Sequence, residues 1–285
     1  MIWDTTLRID GLSNHLSHIP VQEELIQQLL LPKQLMMVAG QFGIGKTNEL
    51  LHLSHCFASG GSWHGLEIRP SVCLYMIWEG DPRKIGERIK IIETQYAQRI
   101  CSSFIRFVSK KIPLNTAQGR ENLSRIVSDL KPKPEIILMD PFKRTVSGDY
   151  TKPGGADLWI EGANEVAKAL EVAIITSNHT NKIVYRSNST PDELSADRVK
   201  GAGDLLDGVD AAILLAEEKV NRRVTVEGGY SKVVWSLLGF VIKVLKARDA
   251  IASFPLLKVT FSREKLRFVG EKWVIKDNYI EVAGE

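Results

Sequence analysis

No stretch of this sequence approaches 18 uninterrupted apolar residues, and its start, MIWDTTLRIDG, has no basic region leading into an apolar core. Neither a membrane span nor a signal peptide is expected, and the expected location is the cytoplasm. Cysteine is scarce: Cys56, Cys73 and Cys101 are widely spaced and form no Cys-x-x-Cys pair. An odd, scattered set supplies neither a disulfide framework nor a zinc site, so free thiols are expected. Excess charge is missing too. A formal net charge of +3 falls short of a dedicated nucleic-acid-binding domain, so any polyanion site must be local. Repeats and low-complexity tracts are absent, and 44% hydrophobic with 25% charged residues is the make-up of an ordinary folded chain.

What is present is alternation. Short apolar runs at Leu35 to Ala39, Val72 to Trp78, Phe104 to Val108, Ile136 to Asp140, Val172 to Ser177 and Ala211 to Leu215 read as strands. Apolar at consecutive positions, they suit a mostly parallel sheet covered on both faces. Helices are expected between them at Val21 to Leu31, Thr47 to Ser59, Pro82 to Gln98 and Gly162 to Leu170, with Asp81 as the N-cap before Pro82. From about Val224 the pattern turns β-rich: Val233 to Leu237, Val241 to Ala247, Leu256 to Phe261 and Leu266 to Val274 predict antiparallel strands at the C-terminal edge. The expected organisation is a leading segment over 1–34 and a single α/β core over 35–285. Ser147 to Asp157 and Ile183 to Gly203 are long polar stretches of the kind that form functional loops.

GQFGIGKT, from Gly40 to Thr47, matches G-x-x-x-x-G-K-[ST] directly after an apolar strand and before a helix. Glycines let the backbone curl so that successive N–H groups of Gly40, Gln41, Phe42, Gly43, Ile44, Gly45, Lys46, Thr47 and Asn48 face phosphates at a helix N-terminus. Lys46 is expected to reach the β and γ phosphates of ATP, and the Thr47 hydroxyl to meet Mg²⁺, a hard ion that prefers oxygen. KPEIILMDP supplies the second metal contact, Asp140, after an apolar strand. The next residue is Pro141, not an acid, so the carboxylate that accepts a proton from the attacking water must come from elsewhere. Glu79, at the end of VCLYMIWEG, is the candidate, with Asp81 as its competitor.

These residues, in this order, resemble the RecA-like ATPases, and within them the small hexameric replicative helicases of the plasmid RepA type. The likeness runs over roughly residues 8 to 265. It rests on IDGLSNHL before the loop strand, WEGDP followed by a helix bearing Arg88, and the DPF that closes the Asp140 strand. VAIITSNHTNK resembles the strand that ends in a γ-phosphate sensor, which assigns that role to His179 or Asn178. GAGDLLDGVDAAILL is similar to a small-residue turn, short helix and strand. In VIKVLKARDA, Lys246 and Arg248 resemble a K-x-R pair that reaches a neighbour's γ-phosphate. The resemblance implies a homo-oligomer, as a hexameric ring, that hydrolyses ATP with Mg²⁺ as a helicase or a DNA replication or repair factor. It also places single-stranded nucleic acid against Asn181 to Gly203, where Lys182, Arg186, Arg198 and Lys200 are nearly cancelled by Asp192, Glu193 and Asp197.

Two other readings stay open on sequence alone: an ATP-switched assembly protein that binds a protein partner, and a small-molecule kinase, the weaker of the two because this sequence shows no compact arginine-rich lid. Glu217 to Ser236 looks longer than the family pattern and has no assigned role. His52, His55 and Cys56 on one helix read as buried structural residues, and Trp63, Trp78, Trp159 and Trp235 as packing residues.

Overall fold

The computed structural model describes residues 23–96, 103–152, 155–180, 199, 202–225, 231–250 and 252–284; at 103, 202–204, 219–225 and 231–238 only the backbone is described. The first strand, β1 (Leu35–Gly40), is buried along its whole length. Its side chains alternate between two cores: Met36 and Val38 enter one, and Leu35, Met37 and Ala39 enter the other. A strand pleats with period two, so a strand covered on both faces needs an uninterrupted apolar run.

Around β1 stand β4 (Cys73–Ile77), β5 (Ser103–Phe107), β6 (Ile136–Asp140), β7 (Ala173–His179), β8 (Ala211–Thr225), β9 (Ser231–Ala247), β10 (Leu257–Ser262) and β11 (Arg267–Gly270). The sheet order is β11-β10-β9-β8-β1-β7-β6-β4-β5. Strands β8 through β5 are parallel, and β9, β10 and β11 complete one edge antiparallel. The mostly parallel sheet with a C-terminal antiparallel edge is thus the expected one. Two small ribbons, β2 (Ser62–Trp63) with β3 (Leu66–Glu67) and β12 (Lys272–Ile275) with β13 (Ile280–Ala283), lie outside it.

One face is covered by α1 (Lys46–Ser59) and α2 (Pro82–Glu93), whose Leu50, Leu53, Phe57 and Ile85 join the first core. The other is covered by α3 (Ala117–Ser128), α4 (Asp157–Leu170) and α5 (Ala202–Gly208), through Leu123, Val127, Trp159, Ala163 and Leu205. Asp81 caps α2 as expected, its carboxylate accepting from the Arg83 N–H at 2.9 Å ahead of Pro82.

Several expectations need correction. The helix expected over Val21 to Leu31 is absent from its described part: Leu25 and Ile26 both donate to the Leu30 carbonyl, and Gln28 turns the chain at φ 58°. The Glu24 carboxylate fixes that turn by accepting from the Gln28 N–H at 3.0 Å. The two strands expected at Val233 to Leu237 and Val241 to Ala247 are one, because Gly239 is a site of close approach and not a break: a Cβ there would lie 3.1 Å from the Val259 carbonyl oxygen. Conversely, Leu266 to Val274 is two strands, divided at Gly270, which holds φ 131°. Helix α3 has few apolar positions and was missed; Thr116 caps it by accepting from the Gly119 N–H at 3.1 Å. Residues 1–22, Cys101 and the side chain of Trp235 lie outside the described set.

Candidate nucleotide site

Strand β1 delivers the chain to Gly40, where a Cβ would sit 2.9 Å from Ile44 Cγ2 and 3.0 Å from the Leu215 carbonyl oxygen. Only glycine lets the loop turn back over the sheet at that point. Gly43 and Gly45 follow at φ 78° and 109°, and α1 begins at Lys46. The loop thus sets its N–H groups at the positive end of a helix, which favours an anion. Ile44 is buried and anchors the loop, whereas Phe42 at its tip is 88% exposed.

The Lys46 ammonium donates to the Gly40 and Gln41 carbonyls, both at 2.8 Å. His179 Nδ1 lies 3.3 Å from it. Burial lowers the Lys46 pKa to about 8, against the opposing pull of Asp140 and Glu79.

Asp140 ends β6 with its carboxylate almost buried, and three hydroxyls converge on it. Thr47 Oγ1 donates to Oδ2 at 2.7 Å, the Tyr75 hydroxyl donates to the same oxygen at 3.0 Å, and Ser177 Oγ donates to Oδ1. Burial, then the Asp140 charge, pushes the Tyr75 phenol well above its ordinary range, so it remains a donor. A threonine hydroxyl beside a carboxylate is the hard-oxygen donor set that suits Mg²⁺, and these two residues fit the ion expected here. Tyr75 and Ser177 were not singled out in the sequence. Their signal was polarity within apolar strands: Tyr75 in CLYMI, two positions before the strand's end, and Ser177 in the polar terminus TSNH.

Glu79 stands two residues past the end of β4 and is half exposed, with Arg144 Nε 3.6 Å from Oε1. Together with Phe42, Lys46, Thr47, Asn48 and Asp140 it lines a cleft of about 250 Å³ that also receives Arg88, Ser177 and His179. Its competitor Asp81 is absent from that lining, being occupied as the α2 cap. Of the two sensor candidates, His179 lines the cleft, whereas Asn178 is buried and its Oδ1 accepts the His179 N–H at 2.8 Å.

Lys246 and Arg248 lie elsewhere. Ala247 pairs with Ala211, the first residue of β8, so the K-x-R pair stands at the far end of the sheet from Gly40. Lys246 donates to the Leu206 and Asp207 carbonyls at 2.8 Å. Arg248 meets Asp210 Oδ1 at 2.5 Å, and Oδ2 of the same carboxylate accepts the Leu35 N–H at 2.9 Å. Neither cation reaches its own chain's phosphate loop. The segment Asn181 to Gly203, expected to meet single-stranded nucleic acid, lies outside the described residues except for Val199, which bridges Thr180, and the backbone of 202–203. Among the described residues no helix is long and apolar enough to cross a membrane, and no group of three metal-ligating side chains is gathered.

The fold is that of the RecA-like P-loop ATPases and resembles the ATPase domains of replicative helicases. The structure titled "ATPase Domain of G40P" superposes with a TM-score of 0.59 at 11% identity, over 92% of this chain and 96% of that one. A DnaB-like replicative helicase, in the structure titled for its interactions with primase, gives 0.59 at 13% identity, over 93% and 67%. No curated protein matches the sequence. The AAA domain family matches residues 6–183, a span that holds the phosphate loop, Glu79, Asp140 and His179, and this chain belongs to that family.

Proposed function

We propose that this protein is an ATP-hydrolysing motor that acts on single-stranded nucleic acid, as a helicase or a replication or repair factor. The observation that carries the ATPase reading is the meeting of Thr47 and Asp140 at 2.7 Å beside the Lys46 ammonium, with Glu79 across the same cleft. The likeness to helicase ATPase domains supports the motor reading. On binding ATP, Lys46 exchanges the Gly40 and Gln41 carbonyls for β and γ phosphate oxygens. Thr47 and Asp140 would hold Mg²⁺, which when bound would supply positive charge against the negative charge that develops during phosphoryl transfer. Glu79 orients a water and accepts its proton as the water oxygen bonds to the γ phosphorus and ADP leaves. His179 donates to the γ phosphate, and in a ring Lys246 and Arg248 serve the neighbouring site.

Steady-state ATP hydrolysis across protein concentration, with and without single-stranded DNA or RNA, tests this, with Lys46→Ala as the blank. Stimulation by a polymer is expected, absent from the blank. One observation favours a second reading, an ATP-switched assembly protein with slow turnover: both K-x-R cations are engaged within their own chain. Slow hydrolysis indifferent to every nucleic acid would select it.

A further inference from the structure

Two strands leave the sheet together. Strand β8 accompanies β1 only as far as Leu215, beside Gly40, and β9 pairs with β10 only from Phe240 to Ile242. Past a register shift between Glu218 and Lys219, β8 and β9 continue through seven further pairs, from Lys219 with Leu237 to Thr225 with Ser231. Among the described residues these pair only with each other. At about 3.4 Å per residue the ribbon runs roughly 20 Å beyond the sheet edge. That edge is the one where Gly40, which opens the phosphate loop, pairs in register with His179, which lines the phosphate cleft.

The paired segments contain Lys219, Arg222, Arg223 and Lys232 and no acid. Directly opposed residues of an antiparallel pair share a face, and faces alternate along each strand. The register therefore puts Lys219, Asn221 and Arg223 on one face with Trp235, which opposes Asn221 between the two cations, and with Leu237 and Val233, which oppose the cations themselves. Arg222 and Lys232 fall on the other face, among Val220, Val224 and Val234.

Lysines on a free ribbon commonly serve to block edge-to-edge pairing, but that task accepts charges of either sign and does not call for an aromatic between two cations. A lone two-stranded ribbon is also marginally stable in water, so one of this length gains order from what it touches. Cations neutralise backbone phosphates without reading sequence, and an indole stacks on any base. We propose that the ribbon face bearing Lys219, Arg223 and Trp235 is a contact surface for single-stranded nucleic acid. This rests on the motor reading above and gives it a polymer contact on the edge that carries the nucleotide cleft.

Fluorescence anisotropy of a labelled oligothymidine, titrated with the full chain at several salt concentrations, tests the assignment. Lys219→Gln with Arg223→Gln should raise Kd at least tenfold and reduce the slope of log K against log[salt] by about 1.4, two phosphate contacts at roughly 0.7 each. Trp235→Leu should weaken binding about fivefold or more with the salt slope kept. Arg222→Gln with Lys232→Gln, on the other face, should change Kd less than threefold. Single Arg223→Gln carries the test should the double variant fold poorly, with polymer-free ATP hydrolysis as the check on folding. Variants of the first face that bind like the unaltered chain would overturn the inference while the motor reading stands. Equal losses from both faces, or altered self-association with binding intact, would overturn it as well. No binding by the unaltered chain would remove the motor reading and this inference together.

Discussion

Lys46 carries its proton weakly before nucleotide arrives, because burial brings its pKa down to about 8. Phosphate oxygens favour the charged ammonium, so ATP must raise that pKa and binding must take up protons. Affinity for ATP is therefore expected to fall as pH climbs above about 8, with proton uptake visible by calorimetry in buffers of different ionisation enthalpy. Pre-steady binding unchanged from pH 7 to 10, without uptake, would show that Lys46 stays charged throughout. Glu79 makes a separable contribution. It lines the cleft but bonds none of the loop residues that would hold phosphates. Glu79→Gln removes the proton acceptor, so turnover should drop at least about 100-fold, while affinity for a fluorescent ATP analogue stays within threefold. Near-normal turnover in that variant would require another base.

Helix α1 joins the phosphate loop to the C-terminal strands through a buried polar cluster. One turn after Lys46, the fully buried Glu49 accepts from Trp63 Nε1 at 2.5 Å and from His64 Nε2 at 2.6 Å, and the next turn brings His52 within 3.1 Å of Arg267 on β11. Glu49→Ala would leave the Trp63 and His64 donors buried without a partner, at about 1–3 kcal/mol each. A loss of at least about 3 kcal/mol in a denaturant titration is expected. The same cluster makes the protein acid-sensitive. Burial drives His52 from 6.5 down to about 3, against the Glu49 carboxylate, so on unfolding below pH 6.5 it gains a proton that the fold refuses. Burial alone would raise Glu49, but its His64, His52 and Trp63 neighbours hold it below its ordinary 4.5, and its contribution is lost as pH falls beneath that value. Both effects act in one direction, so stability should decline as pH drops from about 6.5 towards 3. Each group adds up to about 1.4 kcal/mol per pH unit. His52→Gln should flatten the upper part of that decline, and an unchanged slope would place its origin elsewhere. None of this was legible in the sequence beyond His52 and His55 as buried residues, since Trp63, His64 and Arg267 are brought to α1 only by tertiary packing. The core strands were legible because each is an apolar run covered on both faces, and the phosphate loop because its glycines and lysine are contiguous. Where one glycine marked close approach at Gly239 and another a true break at Gly270, sequence offered no way to tell them apart.

At the scale of the molecule, the question is what Arg248 is for. Its contact with Asp210, which also accepts the Leu35 N–H, ties the start of β1 to the end of β9, and that alone would justify an arginine. Its place at the far end of the sheet from Gly40 leaves it unable to serve its own cleft and able to serve a neighbour's only in an assembly. The two roles separate by complementation. Lys46→Ala lacks its own site but keeps Arg248, and Arg248→Ala keeps its site but offers nothing to the next. Each alone should be nearly inactive. Mixed in equal amounts in a ring or filament, an intact site falls beside an intact Arg248 with a chance of one half times one half, so about a quarter of sites should regain hydrolysis. Recovery should grow with protein concentration as the assembly forms. An arginine that only braces its own chain gives no recovery at any concentration, and Arg248→Ala then lowers thermal stability in proportion to the activity it loses.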